Sequence, residues 1–376
     1  MNQIMIAKGQ ARGAGAPAPQ DGPVPPASGP LSTELRPLSA CAGLRDAWEA
    51  LASRALEPNL FFEPDFLLAA AQHLIPFGEV CLILVWQGQA DAPRRRLVGL
   101  LPCVPKLRLF APDELVVLSD RRIAYGAPLI DRAVAQAVIE ALLTPRRDWG
   151  PTSRGLLLGA IAADSPLVTP ALAAAERLGL SASLRPAPPL PLPVGIDLGA
   201  ARERLERRSS LSVSEAVSRG DVRDAMELLL ALEASGASGR GGKAALQETR
   251  EVGFLRAMTR ALARQRQCRV ALLLLDGKPI AGALLLGRAR AAWLYMSAGD
   301  DSHADCAPEA VLLAMLRRGG DRLIMNAAAI EPSRPEGAMA ELRLSPREAL
   351  TPRDLAGRAR AALRRSFSRA PARRAG

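Results

Sequence analysis

Histidine, lysine and aromatic residues are scarce in this sequence, and each shortage narrows what the chain does. Two histidines among 376 residues, His73 and His303, and five cysteines without a C-x-x-C pair argue against a structural zinc site. The cysteines (Cys41, Cys81, Cys103, Cys268, Cys306) are odd in number and not spaced in pairs, so no disulfide framework is read. Cys81 and Cys103 fall within apolar runs and read as small buried hydrophobes. Long hydrophobic runs are missing as well. A stretch such as "VCLILVW" is too short to cross a bilayer. Residues 1–32, rich in Ala, Pro and Gly, lack an unbroken apolar segment and read as a disordered tail, not a signal peptide. A reducing cytoplasm is the default location.

Apolar content of 49%, against only 3% aromatics, still excludes wholesale disorder, and the length leaves room for two domains. The net charge of +11 is unevenly placed. From Arg353 onward there are eight arginines and one acid, Asp354, which leaves the rest of the chain at +4. A nucleic-acid partner needs a broad basic face and is not expected. Leu355, Leu363 and Phe367 give the basic tail only a narrow apolar stripe, so it reads as solvated, with peripheral membrane contact as the other reading. Arginine outnumbers lysine 45 to 4, a skew that fits a GC-rich genome better than selection for phosphate contacts.

The stretch "LEASGASGRGGKAAL", residues 232–246, resembles a phosphate cradle at first sight. A P-loop needs glycine five residues before Gly-Lys and a hydroxyl residue after it. Here Ala237 and Ala244 occupy those places, and Ala225, Leu228, Leu229 and Leu232 upstream recur at helical spacing. The P-loop is excluded.

One plan is written twice. "FLLAAAQHL" places Phe66, Ala70 and Leu74 on one helical face, and "FLRAMTRALARQ" places Phe254, Met258 and Leu262 in the same register, 188 positions on. Each helix is followed by a buried-strand run from Val80 or Val270. A turn comes next (Gln87-Gly88, Asp276-Gly277), then a strand with a central glycine, Gly99 or Gly282. A third apolar stretch, "ELVVLSD" or "AAWLYMS", leads into a further helix. Helices alternating with strands imply mixed α/β domains, divided by the Pro-rich "LRPAPPLPLPVGIDL". The expected boundaries are a tail over 1–32, domains over 33–190 and 191–350, and a basic tail over 351–376.

The tandem unit resembles the GNAT acyltransferase fold and, through residues 232–246, the CelD-type acetyltransferases of cellulose and exopolysaccharide synthesis. That segment matches at Leu232, Glu233, Ala234, Ser235, Gly236, Gly239, Arg240, Gly242, Ala245 and Leu246. "NLFFEPDF", "DGKPIAGALLL" and "AAWLYM" add to the match. The sequence departs from the family at Ala237-Ser238, where relatives often carry Trp-Lys. It departs again at Ala307-Pro308-Glu309, where Ser-Pro-Gly is common, and it lacks a lysine near Met296. The resemblance implies two tandem GNAT-like domains, each a mixed, mostly antiparallel sheet flanked by helices. It further implies acetyl-CoA or another acyl-CoA as co-substrate, no metal, and an amine or saccharide acceptor.

Such chemistry needs amide donors at a helix N-terminus for pyrophosphate, a strand N–H for the oxyanion, and groups that move protons. The helix opened by Pro308, with Glu309 and Ala310, is the candidate pyrophosphate site. A carboxylate in that first turn satisfies the helix dipole itself, so Glu309 reads as a helix-start residue or as a base. The strand around Tyr295, Met296 and Ser297 would supply the oxyanion donor. Tyr295 reads as an acid for the thiolate or as core, and Asp300 and His303 as cleft residues or solvated loop. Glu233 would hold or deprotonate an amine, with Ser235, Gly236, Gly239 and Arg240 closing on the substrate. The alternative for this segment is a helix capped by Gly236 and followed by a linker. Two other functions stay open: a degenerate, non-catalytic binding or scaffold protein, and a FemX-like aminoacyl transferase.

Overall fold

Three sheets organise the computed structural model, which describes residues 29–88, 95–104, 114–144, 155–186, 197–288, 291–319, 322–325 and 339–346. The expected basic tail, most of the N-terminal tail and residues 187–196 of the Pro-rich divider lie outside the described residues. Leu31 and Ser32, expected in the tail, already belong to a strand.

The first half begins with strand β1 (Leu31–Pro37), helices α1 (Arg45–Arg54) and α2 (Pro64–His73), and the hairpin β2 (Cys81–Gln87) and β3 (Arg96–Cys103). Short strands β4 (Glu114–Val116) and β5 (Leu129–Ile130) lead to α3 (Ala135–Leu143), β6 (Gly155–Ala162), α4 (Val168–Arg177) and β7 (Leu180–Pro186). The second half runs α5 (Leu198–Arg208), β8 (Leu211–Ala216), α6 (Arg219–Ser235), α7 (Ala237–Arg240) and α8 (Thr249–Arg264). The hairpin β9 (Cys268–Leu275) and β10 (Lys278–Leu286) follows, then β11 (Ala291–Gly299), α9 (Pro308–Arg318), β12 (Arg322–Met325) and β13 (Met339–Pro346). In chain order each half runs helices, hairpin, strand and helix, in a mixed α/β fold of mostly antiparallel sheets flanked by helices. The third stretches are not equivalent: β11 pairs with its hairpin strand β10, whereas β4 pairs with β6 in another sheet and β5 lies beside β3.

The reasons are local. Asp276 and Gly277 both take positive φ (51° and 75°), the conformation that a tight hairpin between right-twisted strands requires. Helix α8 buries Phe254, Leu255, Met258 and Leu262, the periodicity of a one-faced helix. Helix α6 is capped by the Ser218 hydroxyl, which accepts from the Asp221 N–H at 3.3 Å. Its buried face differs from the sequence reading at one place: Leu228 is 44% exposed, whereas Met226 and Leu230 are buried.

Gly99 and Gly282 are not spatial equivalents. A methyl group on Gly99 would meet Val138 on α3, and one on Gly282 would meet Leu229 on α6. Cys103 is buried, as read, and burial pushes its thiol up to about 12; Cys81 is only half-buried.

Strands β8–β9–β10–β11 are antiparallel, and β12 joins β11 in parallel. Helices α6 and α8 cover one face through a core continuous with the first half, while α5 and α9 cover the other through Ala201, Leu205, Leu312 and Leu316. Strand β13 falls in the range expected for the second domain, yet it lies between β6 and β7 in a first-half sheet. The halves also meet through α2 and α8, where Gly253 lets His73 approach: an added Cβ would sit 2.7 Å from the His73 Nδ1.

Candidate functional site

Strand β12 pairs with β11 only from Ala291 to Leu294. From Tyr295 to Gly299 that edge of β11 meets no strand among the described residues. A β-bulge falls at the same place. Leu285 faces Leu294 and Leu284 faces Met296, which leaves Tyr295 as the extra residue. A bulge re-aims the side chains beside it. Met296 then pairs with Leu284 and Ser297 with Ala283.

Helix α9 starts against this edge. Ala307 precedes it in the left-handed region (φ 41°), Pro308 takes the first position, and no side chain caps the end. The amides of Glu309 and Ala310, too early in the helix for an intrahelical acceptor, are left to bind an anion. The Glu309 carboxylate does not cover them. It accepts from the Ser297 hydroxyl at 2.8 Å, and its Cγ would lie 3.0 Å from a Cβ built on Gly299. The first-turn carboxylate expected to satisfy the helix dipole is instead turned onto the strand. The donor set present therefore fits the pyrophosphate of an acyl-CoA through backbone amides.

Residues 232–246 close the other side. Glu233 ends α6 half-buried and accepts the Ala245 N–H at 2.9 Å. Burial raises its carboxyl above the usual range, and the Ala245 bond offsets this in part. Ser235 donates to the Leu232 carbonyl at 2.8 Å, a contact within its own helix. Gly236 is extended (φ −88°) and not a left-handed cap, and its Cβ position is 3.7 Å from the Gly299 carbonyl. The chain continues into α7 instead of a linker. Gly239 is required there, because a Cβ would fall 1.7 Å from the Ala234 carbonyl oxygen. Arg240 pairs with Asp301 at 2.5 Å, which ties the segment to the loop after β11.

That loop is built by its own polar groups. Asp300 accepts the Ser302 N–H at 2.9 Å, and this bond holds its carboxyl below the usual range. The His303 Nδ1 lies 3.2 Å from an Arg208 nitrogen on α5, and Arg208 also reaches Asp305 at 2.6 Å. Tyr295 packs edge-on against Phe66 of the first half, centroids 6.2 Å apart. Its hydroxyl is sealed from solvent without a hydrogen-bond partner among the described residues, and burial raises its pKa.

Sequence reasoning missed the first half's share of this region. Arg122 donates to Glu251 of α8 at 3.0 Å and to Asp120 at 3.0 Å, and Arg121 lies 3.3 Å from Glu251. Tyr125 donates to Glu57, which also accepts from Ser165 at 2.5 Å, and the Tyr125 ring lies 5.5 Å from that of Trp293. The signal was the charged run "SDRR" straight after an apolar strand, whose partners are more than a hundred residues away.

Among the described residues, no group of three or more His, Cys, Asp or Glu is placed to hold a metal, and no helix is long and apolar enough to cross a membrane.

Residues 197–321 match the family described as "Acetyltransferase (GNAT) domain". This segment, which runs from α5 to α9 and includes β11, is thus similar to a GNAT acetyltransferase domain over about a third of the chain. No curated protein matches the sequence. Among solved structures, the chain is similar to a tandem GNAT protein from the clavulanic acid biosynthesis pathway, at 15% identity, 83% of this chain, 98% of that chain and TM-score 0.33. It is also similar to L-PGS from Bacillus licheniformis (11% identity, 86% and 97%, TM-score 0.40) and to FemX (10% identity, 77% and 89%, TM-score 0.41). Likeness of this degree says nothing about what this chain does.

Proposed function

We propose that the chain is an acyl-CoA-dependent acyltransferase whose acceptor is an amine or a sugar-type molecule, with its site on β11 between the start of α9 and residues 233–240. The observation that carries this reading is the bulge in β11 at Tyr295, on an edge that from Tyr295 to Gly299 meets no strand among the described residues, together with a helix N-terminus that no side chain caps.

An acyl-CoA supplies a thioester carbonyl at this edge. The amides of Glu309 and Ala310 hold its pyrophosphate, with Pro308 starting the helix where a donor would have no partner. Strand amides between Tyr295 and Ser297 stabilise the oxyanion, because they are fixed in place before the charge develops. Glu233 is the general base: a half-buried carboxylate with a raised pKa takes a proton more readily than a solvated one. Tyr295 serves as a hydrogen-bonding group and not as the acid for the thiolate. A phenol with its pKa raised by burial gives no proton to a weaker base. Arg240, Asp300 and His303 shape the loop and Ser235 the end of α6, since each is engaged locally. The CelD-like segment supports an acceptor linked to exopolysaccharide, and the supply of acyl-CoA supports action in the cytoplasm.

Titration calorimetry of the full chain with acetyl-CoA, followed by thiol release with amine and saccharide acceptors, tests this reading. Saturable heat and acceptor-dependent release are expected. No heat at millimolar acetyl-CoA contradicts it and favours the non-catalytic GNAT-fold alternative.

A further inference from the structure

We infer that Glu63 and Gln267 form a proton-operated latch across the seam between the two halves: the carboxylate shares one hydrogen bond with the amide, and the protonated carboxyl shares two. The latch is independent of the acyl-transfer reading.

Glu63 precedes α2 in the first half, and Gln267 joins α8 to β9 in the second. The Gln267 Nε2 donates to one Glu63 oxygen at 2.9 Å. Gln267 is 2% exposed, and its Oε1 has no hydrogen-bond partner among the described residues. Its backbone groups are already spent: the N–H donates to the Leu262 carbonyl and the carbonyl accepts from Gly287, both at 2.9 Å. The second Glu63 oxygen makes no hydrogen bond among the described residues either. A carboxyl and a primary amide are matched forks, so one N–H···O bond leaves two oxygens able to turn towards each other. As two acceptors they repel. A buried acceptor without a donor costs stability, and a proton on the carboxyl supplies the donor for the Gln267 Oε1.

The proton comes from solvent and returns to it, and the surroundings favour its uptake. Burial raises the Glu63 carboxyl above the usual range; the Gln267 bond and the Arg288 charge pull it back, and Asp65 and Glu49 raise it further. Asp65 and Glu49 both pair with Arg45. On the side of the second half, Arg264 and Arg266 are exposed and Arg269 pairs with Glu215 at 2.7 Å. Burial pushes the Cys268 thiol up to about 12, so it stays neutral. Glu63 lies between Phe61 and Phe66, whose rings meet Trp293 and Tyr295 of β11 with centroids 5.6 and 6.2 Å apart. Two hydrogen bonds at Glu63 instead of one therefore tighten the contact by which the first half backs β11. As pH rises above the ordinary carboxyl value of about 4.3 and through the folded pKa, the second bond is lost and the seam loosens.

Glu63→Gln replaces the acid by an amide that keeps both bonds at every pH, and Glu63→Met removes the charge and both bonds together. Urea midpoints of the full chain and the two variants are compared from pH 4 to pH 8. Glu233 titrates in all three chains and cancels in the differences. Wild type and Glu63→Gln are expected to coincide near pH 4 and to separate as pH rises. At pH 7 the folding constant of Glu63→Gln should be higher by at least about five-fold, and Glu63→Met should show no such gain. Amide exchange reports the seam itself. Gly287 donates to the Gln267 carbonyl, and Phe66 and Leu67 donate to that of Glu63. All three should exchange more slowly in Glu63→Gln than in wild type at pH 7, and equally near pH 4. A constant difference between the midpoints across the pH range, an equal gain in Glu63→Met, or exchange at Gly287 that ignores the substitution overturns the latch.

Discussion

Phe66 and Phe254 occupy the same register in the two copies of the repeated unit, and in the folded chain they touch. Their rings lie edge to face, centroids 5.4 Å apart and planes at 81°. The helix face that each copy shows at the sequence level is the face by which α2 packs on α8, so the duplication is also the interface. Both side chains are fully buried. Phe254→Ala is expected to cost about 3–5 kcal/mol in urea unfolding. The double variant with Phe66→Ala should cost less than the sum of the singles by about 0.5–1.5 kcal/mol, because a shared ring contact is lost once. Strict additivity would show that the rings are independent.

Ending the chain after Met325 should damage the first half, not only the second. Strand β13 lies between β6 and β7, and Leu342 and Leu344 are buried there beside Leu156 and Leu158. Removing it leaves two bare strand edges and an uncovered apolar face, the combination that drives aggregation. The expected result is insoluble protein, recovered in part by coexpressing residues 339–346. A soluble truncated chain with unchanged circular dichroism would count against this.

Two of the four glycines of the 232–246 segment, Gly239 and Gly242, should fail differently. A methyl group at Gly239 overlaps the Ala234 backbone, whereas Gly242 has open space but a φ of +67°. Gly239→Ala is expected to displace α7, break the Arg240–Asp301 pair and cost about 1–3 kcal/mol. Gly242→Ala strains one residue by about 1–2 kcal/mol and leaves the pair intact. Hydrogen exchange of residues 237–247 separates the two outcomes.

Glu233 links stability and activity to pH with opposite signs. Its folded pKa is raised, first by burial, so the folded chain binds the proton more tightly than the unfolded chain. Its stabilising share is complete below the ordinary value of about 4.3 and is lost as pH rises towards the folded pKa. Activity that needs the carboxylate as base appears over the same rise. Glu233→Gln should flatten both profiles and cost no stability at neutral pH, as read by urea midpoints and thiol release. A variant that is unstable at pH 7 would assign Glu233 a structural carboxylate role.

Much of this arrangement was legible in the sequence because it rests on short-range rules. Helical periodicity marked α2, α6 and α8, the Asp276-Gly277 pair marked a hairpin, and Pro308 marked the start of α9. The closeness of residues 233–240 to the loop after β11 was foreseen only through resemblance. What periodicity carries no trace of is pairing between distant segments. The insertion of β13 beside β6, the Arg122–Glu251 contact and the turn of Glu309 onto Ser297 depend on where whole elements meet. Gly99 and Gly282 show the converse hazard: similar strings in similar strands point to opposite faces.

The account stands on the edge of β11 from Tyr295 to Gly299, and amide hydrogen exchange across Ala291–Gly299 with and without acetyl-CoA tests it most directly. The expected result is slowed exchange from Tyr295 to Gly299 and at Glu309 and Ala310, with Ala291 to Leu294 unchanged because β12 already pairs there. Exchange at Tyr295–Gly299 that is indifferent to saturating acetyl-CoA would contradict it.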